Sequence, residues 1–164
     1  MNLPKRKRTR LKDFDYSTEG AYFVTICTNQ KKCILSNIVG EGLAPAEIQL
    51  STFGEIVNQE LLDLENRYEN IKINKYVIMP NHIHAIIVIA AKPAGARPCP
   101  TLSDIVCAFK SIVTRKCHIV NPNQKIWQSS FHDHIIRGEQ DYQKIWQYID
   151  TNALKWQDDC FYFE

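Results

Sequence analysis

Two histidines separated by one residue are the first feature of this chain that could do chemistry. His82 and His84 open an apolar run that ends at Ile89, and a Met-Pro-Asn break precedes them. Alternate residues of a strand point to the same face, so both imidazoles are expected on one face of a β-hairpin. Each imidazole then needs a hydrogen-bond partner or a metal ion. On this spacing alone, a divalent metal site and a satisfied pair of core histidines are about equally good interpretations.

A tyrosine and an asparagine further along the chain supply a second set of candidate groups. Tyr148 falls outside the apolar stripe of the last predicted helix, and Asn152 lies one turn later, nearly in line with it. Lys144 and Lys155 border the same side. Two histidines and one oxygen donor can hold a Lewis-acidic ion, and a nearby tyrosine can be a nucleophile for phosphoryl transfer. We expect metal-polarised phosphate and lysine charge to favour the phenolate. A surface tyrosine and a helix C-cap asparagine are the simpler alternatives.

The hydrophobic pattern places these groups in an α+β fold. Its order of strands and helices favours a ferredoxin-like antiparallel sheet with packed helices. Thr52 to Glu55 has the spacing of a capping box, and Thr101 is an N-cap signal. The predicted elements are strands over 21–28, 33–39, 71–79, 82–90 and 126–137, helices over 53–68, from 101 onward and 139–154, and loops over 40–46 and 92–100.

Composition limits the class of protein. The chain has 164 residues, of which 45% are hydrophobic and 23% charged, so we expect one globular domain over 21–164 after a basic arm over 1–20. No apolar run is long enough for a transmembrane helix, and we expect no membrane partner. Six cysteines without a C-x-x-C pair favour a reducing, cytoplasmic location, with nucleoid association at most.

The run YVIMPNHIHAIIVI resembles the His-hydrophobic-His motif of the single-tyrosine HUH transposases. Within that group it most resembles the REP-associated tyrosine transposases and their insertion-sequence relatives. Three further stretches resemble other parts of the same family, namely 15–28, 97–111 and 127–149. The resemblance implies an HUH nuclease domain in which His82 and His84 bind the metal, Tyr148 is the nucleophile and Asn152 is the third ligand.

The function implied by this resemblance is metal-dependent cleavage and strand transfer of single-stranded, hairpin-forming DNA. The reaction would pass through a 5′-phosphotyrosine intermediate and use Mg²⁺ or Mn²⁺ as the cofactor. We expect DNA contacts from Lys110, His134, Arg137 and Lys144. An exposed helix face explains Lys110 equally well, as it does Arg115 and Lys116. The resemblance leaves monomer and homodimer both open.

One departure from the family pattern supports an alternative function. Relatives commonly have Asn-Pro after the tyrosine, whereas this chain has Asn152-Ala153. The alternative is a domesticated protein that binds hairpin single-stranded DNA without cutting it. A replication or mobilisation relaxase of the HUH type is less favoured, because such enzymes often have a third clustered histidine. His132 repeats the His-x-His spacing with His134, but we interpret it as part of an exposed strand rim.

Overall fold

The computed structural model describes residues 15–40, 46–91 and 100–162. Most of the predicted basic arm lies outside these ranges. The same is true of residues 41–45 and 92–99, which make up most of the loops predicted over 40–46 and 92–100. In chain order the elements are β1 (Gly20–Cys27), β2 (Ser36–Val39), β3 (Glu47–Leu50), α1 (Thr52–Arg67), β4 (Ile71–Ile78), β5 (His82–Ile89), α2 (Leu102–Val120), β6 (His132–Ile135) and α3 (Glu139–Thr151).

A four-stranded antiparallel sheet is the centre of the fold. Its strands are ordered β4-β5-β1-β6, so β1 and β5 are central. Together with α1 after β1 and α2 after β5, this order is the ferredoxin-like topology that the sequence predicted. The β2–β3 hairpin is an insertion between β1 and α1, and α3 follows the last strand.

Strand alternation divides the molecule into two apolar layers. On one face, β1 and β5 present residues such as Val24 and Ile83 to the helices α1 and α2, which form the larger core. On the other face, Ile86 of β5 packs with Ile149 of α3 and with Trp156 in a smaller cluster. Because His82 and His84 alternate with Ile83, they share one face of β5, as predicted, and this face packs against α3.

A buried acid links α1 to α2. The Glu60 side chain is fully buried and forms ion pairs with Arg67 on its own helix and with Lys116 on α2. Burial acts to raise the pKa of Glu60, but the hydrogen bonds from Lys116 and Arg67 outweigh it and hold that pKa below its usual range. The carboxylate is therefore charged at neutral pH.

The first turn of α1 differs from the prediction by one residue. The N-cap is Ser51, whose hydroxyl accepts a hydrogen bond from the Gly54 N–H and donates one to the Ile34 carbonyl oxygen. A Cβ at Gly54 would lie 2.0 Å from the Leu35 carbonyl oxygen, so glycine allows the helix to approach this backbone closely. At α2 the predicted cap is confirmed, because Thr101 forms a capping box with Asp104.

Two strand predictions need correction. The strand predicted over 33–39 covers only Ser36–Val39, and its partner β3 was missed. The strand predicted over 126–137 is reduced to His132–Ile135, because residues 126–131 follow an irregular path with a single bridge between Thr28 and Trp127. In the described part of the chain, no helix has the length and apolar character needed to span a membrane.

Candidate active site

The tight turn between β4 and β5 places the two histidines. The Met79 N–H donates to the His82 carbonyl oxygen over 2.9 Å and closes the hairpin. The His82 and His84 side chains are almost completely buried, and their Nε2 atoms lie 3.0 Å apart. Both rings therefore direct the same nitrogen towards one point on the α3 side of the sheet.

The opposite nitrogen of each ring has its own partner. The Asn81 amide donates through Nδ2 to the carbonyl oxygens of Lys31 and Phe161, so its Oδ1 faces His82 Nδ1 at 2.8 Å. An oxygen acceptor there requires a proton on His82 Nδ1, which leaves the Nε2 lone pair free. The Thr25 hydroxyl, across the sheet on β1, lies 2.8 Å from His84 Nδ1.

Both imidazoles are uncharged at neutral pH. Burial lowers the pKa of His82 to about 3, and the Lys31 charge adds to the effect. Burial also lowers the pKa of His84 to about 3, with a further contribution from His82 that Asp159 partly opposes. Neutral imidazole is the form that binds metal ions, so this burial prepares the pair as ligands.

A carboxylate that was not predicted from the sequence completes the group. After α3 the chain turns through a short 3-10 segment, Ala153–Asp158, which returns Asp159 to the histidines. The Asp159 side chain is 1% exposed, and its Oδ2 lies 3.9 Å from His82 Nε2. One possible ligand atom from each of His82, His84 and Asp159 lies within 4.8 Å of the others. Two uncharged nitrogens and one carboxylate fit a divalent ion.

Asn152 lies at the C-cap of α3, where its side chain is buried against this group. Its Nδ2 donates to Asp159 Oδ2 over 2.8 Å, so the amide orients the carboxylate. Its Oδ1 is also buried, and no group among the described residues forms a hydrogen bond with it. The structure therefore places the Asp159 carboxylate beside the histidines, whereas the predicted ligand Asn152 contacts Asp159 through Nδ2; a ligand role for its Oδ1 stays a prediction.

Tyr148 reaches the histidine pair from α3. Its hydroxyl lies 3.2 Å from His84 Nε2, and its ring contacts the Phe23 ring edge-on while 40% of the residue stays exposed. Burial raises the pKa of Tyr148 to about 12, and the nearby Asp159 carboxylate adds to the increase. Without metal and DNA the phenol is therefore protonated at neutral pH, and the expectation that metal-polarised phosphate and lysine charge favour the phenolate stays a prediction.

A polar groove of about 370 Å³ runs along this side of α3. It gives the tyrosine access to solvent and to an extended ligand. Its lining combines the site residues with two lysines: Lys144, Gln147, Tyr148, Thr151, Asn152, Lys155, Asp158 and Asp159. The predicted DNA-contacting residue Lys144 therefore shares a groove with Tyr148.

The other predicted DNA-contacting residues lie elsewhere. His134 Nε2 lies 2.8 Å from Asp141 Oδ2, which also accepts the Arg137 backbone N–H, so both residues lie at the turn into α3. Lys110 on α2 donates to the carbonyl oxygens of residues 128–130. His132 is exposed, as expected for a strand rim. DNA contact by these residues stays a prediction.

Comparisons with known protein sequences identify a relative of similar length. No protein-family model matches the chain. A protein of Haemophilus influenzae described only as uncharacterized is 32% identical over 174 residues, which cover 97% of this chain and 94% of the relative. This identity extends over nearly the whole length of both chains.

Two solved structures share the fold. A REP-associated tyrosine transposase bound to a REP hairpin superposes with a TM-score of 0.63 at 22% identity, over 92% of this chain and 74% of the other. A candidate transposase from Deinococcus radiodurans superposes with a TM-score of 0.51 at 17% identity, over 87% and 97%. The resemblance predicted from the sequence is thus confirmed in the fold. The chain belongs to the same protein family as the Haemophilus influenzae relative, and it has the fold of the REP-associated tyrosine transposases.

Proposed function

We propose that this chain is a metal-dependent endonuclease and strand transferase for single-stranded DNA that folds into hairpins. The observation that carries the proposal is the 3.2 Å separation between the Tyr148 hydroxyl and His84 Nε2, within the group formed by His82, His84 and Asp159. The fold of the two transposase structures supports a transposase-type enzyme. The REP hairpin bound to the first of them supports hairpin DNA as the substrate class.

In this proposal the histidines and Asp159 hold a divalent ion, Mg²⁺ or Mn²⁺. Asn152 orients Asp159 through Nδ2, and its free Oδ1 is available as a further ligand. When bound, the ion supplies positive charge that polarises a phosphate oxygen. Lys144 and Lys155 line the groove beside Tyr148 and attract the DNA backbone along α3.

Tyr148 is the proposed nucleophile. Its oxygen forms a bond to the scissile phosphorus, and the bond from phosphorus to the 3′ oxygen of the preceding nucleotide breaks. The phenol loses its proton, the 3′ oxygen gains one, and the protein keeps a 5′-phosphotyrosine. Attack by another 3′-hydroxyl reverses the step and joins strands without ATP. A phenol with a pKa of about 12 is protonated at neutral pH, so in this proposal Tyr148 loses its proton only after the substrate has bound.

The alternative of a hairpin-binding protein that no longer cuts is less favoured. It was suggested by alanine in place of proline after Asn152. In the structure α3 ends at Thr151 without proline, and the following 3-10 segment still returns Asp159 to the histidines. Alanine in place of proline at position 153 therefore does not separate Asp159 from the two histidines.

The test is covalent trapping on hairpin-forming single-stranded DNA with Mg²⁺ or Mn²⁺, followed by a denaturing gel. We expect a protein–DNA adduct that disappears with a chelator and with Tyr148→Phe. The matched control is Tyr142→Phe on the same helix, whose hydroxyl accepts a hydrogen bond from Asn74 and lies outside the site. Adducts that survive Tyr148→Phe would refute the nucleophile assignment, and binding without any adduct would favour the non-cutting alternative.

A further inference from the structure

A second cavity, of about 540 Å³, opens between α2 and the segment that follows it. It does not share any lining residue with the groove beside Tyr148. Its walls are formed by one face of α2, from Lys110 to His118, and by residues 122–129. The function proposed above gives this cavity no role.

The cavity carries positive charge that the described residues do not neutralise. Its lining includes Lys110, Arg115 and Lys125 but no carboxylate. The Lys110 ammonium is occupied by the carbonyl oxygens of residues 128–130, and it thereby holds the far wall in place. For the Arg115 and Lys125 side chains, no ion pair or hydrogen bond to another described residue is formed. Two cations therefore remain available to an anionic ligand.

A buried donor in the same wall also lacks a partner. Trp127 is 6% exposed, and its indole Nε1 forms no hydrogen bond within the described part of the chain. Its ring packs on Phe109 of the main core, so the indole has a fixed position. Buried N–H groups in folded proteins nearly always have an acceptor. A guanidinium, an ammonium and an indole N–H all seek oxygen acceptors, and a phosphate group supplies several.

The cavity lies close to the histidine end of the sheet. The Gln128 N–H donates to the Cys27 carbonyl oxygen, and Cys27 is the register partner of His82. The wall residue Gln128 is therefore two inter-strand spacings from His82, roughly 10 Å. The cavity lies on the α2 face of the sheet and the Tyr148 groove on the α3 face, so a DNA strand that engages both must pass around this end of the sheet.

We propose that this cavity binds a backbone phosphate of the single-stranded DNA that flanks the hairpin. Arg115 and Lys125 contact the phosphate, and the Trp127 indole donates to one of its oxygens. The inference rests on the proposed DNA function and adds a second anchoring site to it. Such a site holds the strand in register and supplies affinity without reading the bases.

The test measures DNA binding by fluorescence anisotropy in full-length Tyr148→Phe protein, which cannot cut. The probes are a bare hairpin and the same hairpin with a short single-stranded extension on the 5′ or the 3′ side. We expect Arg115→Ala with Lys125→Ala to weaken binding of one extended probe by about 10- to 100-fold and to leave the bare hairpin unchanged. The slope of log affinity against log salt should become shallower by about 0.7 for each phosphate that the variant no longer neutralises.

Two further variants sharpen the result. Trp127→Phe removes the indole N–H and keeps an aromatic ring in the core. It should weaken binding of the same extended probe by several-fold, roughly tenfold at most. Lys72→Ala removes an exposed cation on the opposite edge strand, β4, and should leave every probe unaffected. Thermal unfolding of each variant identifies any loss that comes from misfolding.

Unchanged binding of both extended probes by the folded double variant would overturn the inference, and so would equal weakening of the bare hairpin. A free mononucleotide that displaces the extended probe and binds as tightly as that probe would overturn the inference as well, because it would identify a small-molecule site. The adduct assay on parent protein separates the two proposals. A Tyr148-dependent adduct with unaffected extension binding refutes only the second site, whereas a parent protein that binds none of the probes and forms no adduct refutes both.

Discussion

Replacing Thr25 by valine tests how the histidine pair is prepared for a metal ion. The substitution keeps the shape of a buried β1 side chain and removes the hydroxyl that lies 2.8 Å from His84 Nδ1. A hydroxyl can donate or accept, so Thr25 satisfies Nδ1 in either tautomer of the ring. Valine cannot form a hydrogen bond with Nδ1 in either tautomer. Only the tautomer without a proton on Nδ1 then avoids a buried, unpaired N–H.

The magnitude follows from that tautomer change. A buried, unsatisfied N–H costs about 1–3 kcal/mol, so the metal-free variant ring keeps its proton on Nε2. There the proton can be shared with His82 Nε2, 3.0 Å away, but the lone pair that would bind the ion is gone. Metal binding must restore the costly tautomer, which weakens affinity by about 5- to 150-fold. This range includes the roughly 10- to 100-fold typical of residues that orient a metal ligand.

The assay is a Mn²⁺ titration of parent and variant at neutral pH, with the free ion followed by electron paramagnetic resonance. Thr114→Val is the matched control, since it removes a hydroxyl that donates to the Lys110 carbonyl oxygen on α2, away from the histidines. We expect the control to bind Mn²⁺ like the parent. A folded Thr25→Val protein with parental Mn²⁺ affinity would refute the proposed preparation of His84.

Three further predictions concern the third ligand and the stability of the fold. Asp159→Asn should weaken Mn²⁺ binding more than about tenfold, because it removes the carboxylate charge beside His82; parental affinity in the same titration would exclude Asp159 as a ligand. Gly54→Ala should lower the urea midpoint of unfolding, because the new Cβ would lie 2.0 Å from the Leu35 carbonyl oxygen. The cost of this overpacking, about 1–3 kcal/mol, outweighs the gain in helix propensity of about 1 kcal/mol. Glu60→Gln should cost about 1–3 kcal/mol at pH 7 in urea unfolding. Because the pKa of Glu60 is depressed in the folded state, its contribution is full above the unfolded pKa of about 4.3 and is lost as the pH falls through the folded value, so parent and variant should converge in acid.

The parts of the fold that obey simple periodicity were predictable from sequence. Alternation in β5 placed His82 and His84 on one face, and helical spacing placed Tyr148 off the stripe that packs on the sheet. Both inferences concern residues within one element, where a fixed repeat sets direction. The order of the elements was then sufficient for the ferredoxin-like topology.

The missing parts depend on contacts between distant segments. Asp159 follows α3 in a stretch that shows no periodicity, and only the 3-10 turn and the hydrogen bond from Asn152 return it to the histidines. The short strand β3 was not recognised, because it is defined by pairing with β2 across an intervening loop. Burial of Tyr148 in the folded protein raises its pKa. The sequence shows the nearby lysines but does not show this burial.

The most direct test of the central claim is mass spectrometry of the trapped protein–DNA adduct after trypsin and nuclease digestion. Cleavage after Lys144 and Lys155 releases a peptide in which Tyr148 is the only tyrosine. We expect a nucleotide joined through its 5′-phosphate to this peptide, with fragment ions that place it on Tyr148. A nucleotide attached to any other residue, or only unmodified 145–155 peptide from the purified adduct, would contradict this claim.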